Sequence, residues 1–368
     1  MRVMYVINEF AWAGAEKLVF ELAIQLKKKV QSVSIVALYE RNDRTEKDII
    51  NTLTENGIDT LIVGKRAGKE RFICVKKILS FAKEKRITII HGHCSVPMLF
   101  SKIVGFILHV PVICTIHSTN GYSKYKEILT SWMVKKYVSI GEAAESYMVD
   151  SLHINRKKIV RIYNAVNVNA FSNREKQNDF WKPYGGKSTD LVLINVARIS
   201  EVKNQICLLK AVEQCIKYKN NIKLYILGDT NSSRTLYENL LNYIQSHNLE
   251  NNVFFLGEKR NVNEYLANSD IFVMSSFYEG LSLAFLEAVI MGLPIITTKL
   301  AFVDELNKIS ECATIVPQNN DVEFSKQILN NSVKRQEEET VKKFKKIFSL
   351  ENNVMSHYNL YNICLKED

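Results

Sequence analysis

Apolar and polar positions in the first half of the chain switch between two periods. Short apolar runs at 2–7, 33–38, 58–63, 87–91 and 112–116 read as buried strands. Between them, 15–29, 45–56, 71–85 and 96–107 carry the three-to-four spacing of helices. Val138-Ser139-Ile140, a helix from about Gly141 and a run at 159–163 continue the alternation. Strands alternating with helices predict a doubly wound α/β domain with a parallel sheet. The polar, mixed-charge stretch 164–183 reads as a linker, with Gly185-Gly186 behind it. The pattern then restarts with 191–196, a helix from Asn204, 222–227, a helix from Ser232, 253–256 and a short helix. At 368 residues this predicts two domains, 1–168 and 185–349, followed by a last helix at about 350–368.

The most informative stretch is 270–298. Ile271–Met274 is a buried strand, and Ser275, Ser276, Glu279 and Gly280 form a polar turn. Ser282 is placed to cap a helix running to about Met291. Gly292 suits a left-handed stop, and Pro294 forbids continuation before the strand Ile295–Thr298. The result is a β-α-β unit whose helix N-terminus faces the crevice at the carboxyl ends of the strands. That helix is apolar nearly all round, with Glu287 its one charge. A lone buried carboxylate ordinarily caps backbone or pairs with a lysine. Here Glu279 stands just before the same helix, and a free helix N-terminus suited to phosphate lies between the two. Two acceptor-only groups flanking an anion site suit a ligand with hydroxyls on both sides of a phosphate, such as a nucleotide sugar.

Glu279, seven residues, then Glu287, in the frame Glu-Gly-Leu-Ser and Gly-Leu-Pro, resembles the E-x7-E segment of retaining GT-B glycosyltransferases of glycosyltransferase family 4. The resemblance implies two Rossmann-like doubly wound domains facing a central cleft, with the last helix crossing back onto the first domain. Ala197-Arg198-Ile199-Ser200-Glu201-Val202-Lys203-Asn204 is similar to the family's Gly-Arg-Leu-x-x-x-Lys-Gly/Asn, with Ala197 in place of glycine. As a bare charge pair, Arg198 and Lys203 read as a solvated turn, but two cations five apart across a turn can also converge on a diphosphate. The turn at 8–16 resembles the family's Gly-Gly-Ala-Glu loop around Gly14, with Ala13 replacing the first glycine, and contains no G-x-G-x-x-G. Gly228-Asp229 resembles the Gly-x-Gly turn without its second glycine, and 253–260 resembles the loop that packs on the nucleobase. Asn164-Ala165-Val166-Asn167 is similar to the Asn-Gly-Val-Asp found at the interdomain crossing.

The roles implied by the family are these. Arg198 and Lys203 neutralise the diphosphate, assisted by backbone N–H groups at Gly280, Leu281, Ser282 and Leu283. Glu279 accepts from the donor sugar and Glu287 from the ribose. His117, at the end of 112–116, stands beside the transferred sugar, and Gly14 helps close the site. The activity implied is a hexosyl- or N-acetylhexosaminyl-transferase that uses a UDP-sugar, with GDP-sugar the alternative, and no cofactor. No Asp-x-Asp occurs, and His91-Gly92-His93-Cys94 lacks a fourth ligand at metal spacing, so no metal is expected.

Charge adds the acceptor side. The net charge is +10, and residues 1–170 hold 26 Lys and Arg against 15 Asp and Glu, so the basic character belongs to the first half. Clusters such as Lys27-Lys28-Lys29, Lys69 to Lys77 and Arg156-Lys157-Lys158 read either as solvated helix faces or as contacts to an anionic bilayer. No aromatic-basic module supports nucleic acid. No apolar run reaches membrane-spanning length, the N-terminus has no signal-peptide plan, and the seven scattered cysteines read as reduced core residues. The expectation is a cytoplasmic enzyme, peripheral on the membrane, adding sugar to a glycan or polyprenyl-linked glycan for capsule, exopolysaccharide or O-antigen. A nucleotide-sugar epimerase of the same fold and a non-catalytic assembly subunit remain open. The epimerase would need acid/base carboxylates in the first domain, where Glu9, Glu16 and Glu142 are on offer.

Overall fold

The computed structural model describes residues 1–368 except 13, 67–69, 172–175, 232, 331–333 and 367–368. Ala13, Lys69, the helix start at Ser232, part of the expected linker and the end of the last helix therefore lie outside the described residues. The chain divides into two compact units, Met1–Val166 with Phe348–Asp368, and Asn167–Ile347.

In the first unit the order is β1 (Arg2–Ile7), α1 (Gly14–Lys27), β2 (Ser32–Ala37), α2 (Arg44–Glu55), β3 (Asp59–Ile62), α3 (Arg71–Glu84) and β4 (Ile89–His93). It continues with α4 (Ser95–Leu108), β5 (Val112–Ile116), α5 (Lys124–Thr130), β6 (Lys136–Ser139), α6 (Glu142–Ser146) and β7 (Ile159–Arg161). The sheet order is β3-β2-β1-β4-β5-β6-β7, and every pairing is parallel. The direction of winding reverses between β1 and β4, where α/β sheets open a crevice at their carboxyl ends.

The second unit holds β8 (Leu191–Val196), α7 (Gln205–Ile216), β9 (Ile222–Leu227), α8 (Arg234–Ser246), β10 (Val253–Gly257), α9 (Val262–Ala267) and β11 (Ile271–Met274). Then follow α10 (Leu283–Ile290), β12 (Ile295–Thr298), α11 (Ala301–Ile309), β13 (Thr314–Val316), α12 (Asp321–Leu329) and α13 (Glu338–Ile347). Its parallel order is β10-β9-β8-β11-β12-β13, with the reversal between β8 and β11. Val273, Ile296 and Leu193 are at most 1% exposed, as strands covered by helices on both faces require.

The last helix, α14 (Leu350–Lys366), belongs to the first unit and packs on α1. Its entry is fixed by a parallel bridge between Val166 and Ser349, where Val166 N donates to Phe348 O and Leu350 N donates to Val166 O. Asn353 Nδ2 donates to Tyr163 O at 2.6 Å. Deeper in, the Tyr361 hydroxyl lies 3.0 Å from that of Tyr5 and 2.7 Å from His91 Nδ1, while His91 Nε2 meets the Thr115 hydroxyl at 2.7 Å.

Two features go beyond the sequence reading. The end of the expected linker packs on the second unit. Trp181 stacks on Tyr225 at 4.0 Å and donates its indole N–H to Asn268 O, and the Tyr184 hydroxyl meets that of Tyr265. Burying large aromatic faces outweighs the polar character of the intervening positions. α5 was not expected at all, because it is apolar outside and charged inside. Its one buried residue, Glu127, pairs with buried Lys102 of α4 at 2.7 Å and accepts from the Tyr137 hydroxyl at 2.8 Å.

Removing one member of such a buried pair leaves the other charge uncompensated, at a cost of about 3–5 kcal/mol. Lys102→Met should therefore lower unfolding stability by about that amount. The double variant Lys102→Met/Glu127→Leu should recover most of the loss. Urea denaturation of the three proteins checks this.

Candidate active site

Sequence dictates where the second unit's functional side chains fall, because both turns in question follow strands flanking the sheet reversal. The turn after β8 carries Arg198 and Lys203, and the turn after β11 carries Glu279 to Ser282. Several bonds join the two turns. Phe277 N donates to Val202 O at 2.8 Å, and the Ser275 hydroxyl is shared between Lys203 O and Asn204 O at 2.9 Å each. Thr298, at the end of β12, donates its hydroxyl to Ser276 O at 2.6 Å. The join brings Lys203 Nζ into a direct ion pair with Glu279 Oε1, which also accepts from the Ser276 hydroxyl at 2.8 Å.

Ser282 caps α10, accepting from Phe285 N at 3.3 Å from an extended backbone conformation. The helix stops at Gly292, whose φ of 76° is left-handed. Glu287 lies within α10 at 4% exposure, among Phe285, Leu286 and Ala288. Gly280 and Ser282 are half-buried, whereas Leu281 is buried. Arg198 is exposed. Its carbonyl is held by Gln205 Nε2 at 2.9 Å, so the backbone of that turn is fixed while the guanidinium is free to reach outward.

Gly228 has a role that its motif alone did not reveal. A Cβ there would lie 2.2 Å from Ala197 O and 2.7 Å from Arg198 N. The glycine lets the end of β9 lie against the start of the Arg198 turn.

In the first unit, Gly14 opens α1 and is exposed. His117 follows β5 and is half-buried, with its Nε2 2.9 Å from His93 Nδ1. His93 Nε2 and His117 Nδ1 are buried and make no hydrogen bond with the protein. His91 is structural, since both its nitrogens are used by Tyr361 and Thr115. His357 of α14 lies nearby, its ring tilted and its centroid 5.6 Å from that of His91. Among the described residues no group of three or more His, Cys, Asp or Glu is arranged to hold a metal. None of the seven cysteines is in a disulfide, and six of them are buried. Of the carboxylates an epimerase would need, Glu9 is paired with Arg41 and Glu142 with Arg161, each at 3.3 Å.

Each unit carries a parallel, doubly wound sheet, and the likeness to solved glycosyltransferases makes this the GT-B fold. The chain belongs to the family-4 glycosyltransferases: residues 12–170 match Glycosyltransferase Family 4 and residues 177–347 match Glycosyl transferases group 1. It is 26% identical over 309 residues to the Bacillus subtilis protein named for glycosyltransferase EpsF, covering 80% of this chain and 78% of that one. It is also 26% identical over 236 residues to the Escherichia coli UDP-Gal:α-D-GlcNAc-diphosphoundecaprenol α-1,3-galactosyltransferase, covering 59% of each. Among solved structures, Anabaena HepE in complex with UDP and glucose superposes with a TM-score of 0.85 at 15% identity, over 98% of this chain and 99% of that one. A Rickettsia africae glycosyltransferase superposes with a TM-score of 0.83 at 19% identity, over 100% and 99%.

The histidine group generates a pH prediction. Burial pushes His117 and His357 down to about 4, and drives His91 and His93 well below their ordinary value as well. The folded state thus keeps these rings neutral, while the unfolded chain protonates them below 6.5. Their contribution is complete above pH 6.5 and is lost as pH falls toward 4. Each group contributes a slope of at most ~1.4 kcal/mol per pH unit. Melting temperature should fall across that window, and less steeply in His357→Phe; parallel melts of both proteins check the difference.

Gly228→Ala should displace the Arg198 turn and lower the melting temperature, which parallel thermal melts of the two proteins check.

Proposed function

We propose that the chain transfers a hexose or N-acetylhexosamine, with retention, from a UDP-sugar to a hydroxyl of a polyprenyl-diphosphate-linked glycan in the assembly of a bacterial surface polysaccharide. The observation that carries this reading is the Lys203–Glu279 pair at the N-terminus of α10, held by the bonds between its two turns. The names of relatives support the donor and acceptor classes. The Escherichia coli relative uses UDP-Gal and a diphosphoundecaprenol-linked sugar, and a Staphylococcus aureus relative, 25% identical over 223 residues, is a capsular polysaccharide glycosyltransferase.

In this reading the donor's arrival re-pairs both charges. Lys203 turns to the diphosphate with Arg198, and Glu279 accepts from the sugar hydroxyls. The backbone N–H groups from Gly280 to Leu283 and the helix N-terminus face the phosphates. Glu287 accepts from the ribose. The bond from the anomeric carbon to the diphosphate oxygen breaks as the acceptor oxygen bonds on the same face. The acceptor proton passes to the departing phosphate, whose growing negative charge the two cations and the helix terminus stabilise. No metal or other cofactor enters this scheme.

Two measurements test it. UDP at 100 times its dissociation constant, with EDTA present, should stabilise the protein by ~2.7 kcal/mol, and GDP, ADP and CMP by much less. No shift with any nucleotide would favour a non-catalytic assembly subunit. Glu279→Gln should then cut transfer by about 10²–10³ with an unchanged melting temperature, and full turnover in that variant would remove its assigned role. His117→Ala asks separately whether the first unit contributes to turnover.

A further inference from the structure

α5 is built inside out. Its apolar residues Tyr125, Ile128 and Leu129 are 78%, 47% and 71% exposed, and Trp132, two residues past the helix's end, is 59% exposed. Positions 125, 128, 129 and 132 share one helical face, and Glu127 points the opposite way into its pair with Lys102. The short helix is thus anchored by its charge and presents its hydrophobic stripe outward. Trp132 extends the stripe onto α4 through an edge contact with Phe106, at 5.2 Å between centroids, and Phe106 is itself 52% exposed.

On the helix the exposed Lys124 and Lys126 fall on either side of the stripe. Just beyond it, Lys158 Nζ donates to Ser131 O at 2.9 Å and Val134 O at 2.8 Å, and Lys136 Nζ donates to Lys157 O. From 118 to 141 the only carboxylate is Glu127, and it is buried. An aromatic and aliphatic stripe flanked by lysines, with no exposed acid, has the chemistry of a bilayer interface. A second copy of the chain is disfavoured as the occupant, because a two-fold interface would set these lysines against one another.

We propose that the outward stripe of α5, with Trp132 and Phe106, seats the first unit on an anionic lipid bilayer. The inference builds on the polyprenyl-linked acceptor assigned above, since such an acceptor is presented at a membrane surface. The lysines engage headgroup phosphates while the aromatic and aliphatic tips enter the acyl boundary.

The test uses the full chain with sedimented vesicles of phosphatidylglycerol and phosphatidylethanolamine, against vesicles of phosphatidylcholine alone. Binding to the anionic vesicles, weakened by salt and accompanied by a blue shift of Trp132 emission, is expected. Leu129→Ser and Trp132→Ser should each weaken it at least tenfold. Lys124→Gln and Lys126→Gln should weaken it about fivefold each and flatten its salt dependence. All four positions are exposed, so the variants should keep the wild-type melting temperature and the wild-type stabilisation by UDP. Equal binding by Leu129→Ser, equal binding to phosphatidylcholine, or a dimer in sedimentation that Leu129→Ser dissolves would each overturn the proposal. Failure of the unaltered protein to bind the anionic vesicles, with UDP stabilisation intact, counts against this surface alone. Vesicle binding without any nucleotide effect counts against the donor site alone.

Discussion

The join between the turns after β8 and β11 is the constraint on which the donor side depends. The first turn has only a single 3-10 turn at Glu201–Lys203 and the second has no helix or strand before α10, so neither would hold Lys203 or Glu279 in place alone. The bonds from Phe277 N to Val202 O and from the Ser275 hydroxyl to the carbonyls of Lys203 and Asn204 make the two turns one body. Thr298 then ties that body to the end of β12. With these bonds made, a charge pair 76 residues apart in sequence is held just before a helix that is itself buried in the core.

The first unit solves a related problem by other means. Its strand ends are organised by a buried polar network instead of a turn-to-turn join. Tyr361 of α14 reaches His91, which passes to Thr115, and Tyr5 closes the network from β1. Every member has a partner, which is the condition under which a buried network specifies a structure instead of weakening it. His93 and His117, beside it, are bonded to each other but keep one nitrogen apiece unmatched by protein. The contrast separates histidines that hold the fold from histidines left able to meet something else.

How much of this could be read from sequence varies with how locally each feature is determined. Strands such as 191–196, 222–227 and 271–274 were legible to the residue, because a strand buried on both faces is a nearly continuous apolar run, broken here only by Asn195 and Lys223. The α10 cap and its glycine stop were equally local. β13, with only three residues, was too short to show a period, and α11 and α12 were passed over although their buried faces carry Phe302, Leu306, Phe324 and Ile328. α5 was illegible for a better reason, since its pattern is inverted and rests on Lys102, twenty-five residues earlier. The part of His91 was equally hidden, because its partner Tyr361 lies 270 residues away. Residues 176–183 read as a linker because Trp181 finds its partners, Tyr225 and Asn268, far along the chain.

The bridge of Val166 to Ser349 has a consequence for how the molecule is made. The chain leaves the first unit at Val166 and re-enters it at Phe348, so the second unit is an uninterrupted segment set into a first unit that is split in two. During synthesis the second unit can complete its core as soon as its own residues have emerged. The first unit, although begun earlier, must wait with the hydroxyl of Tyr5 and the ring of His91 unmatched until Tyr361 arrives. The domain translated first is therefore the one that finishes last.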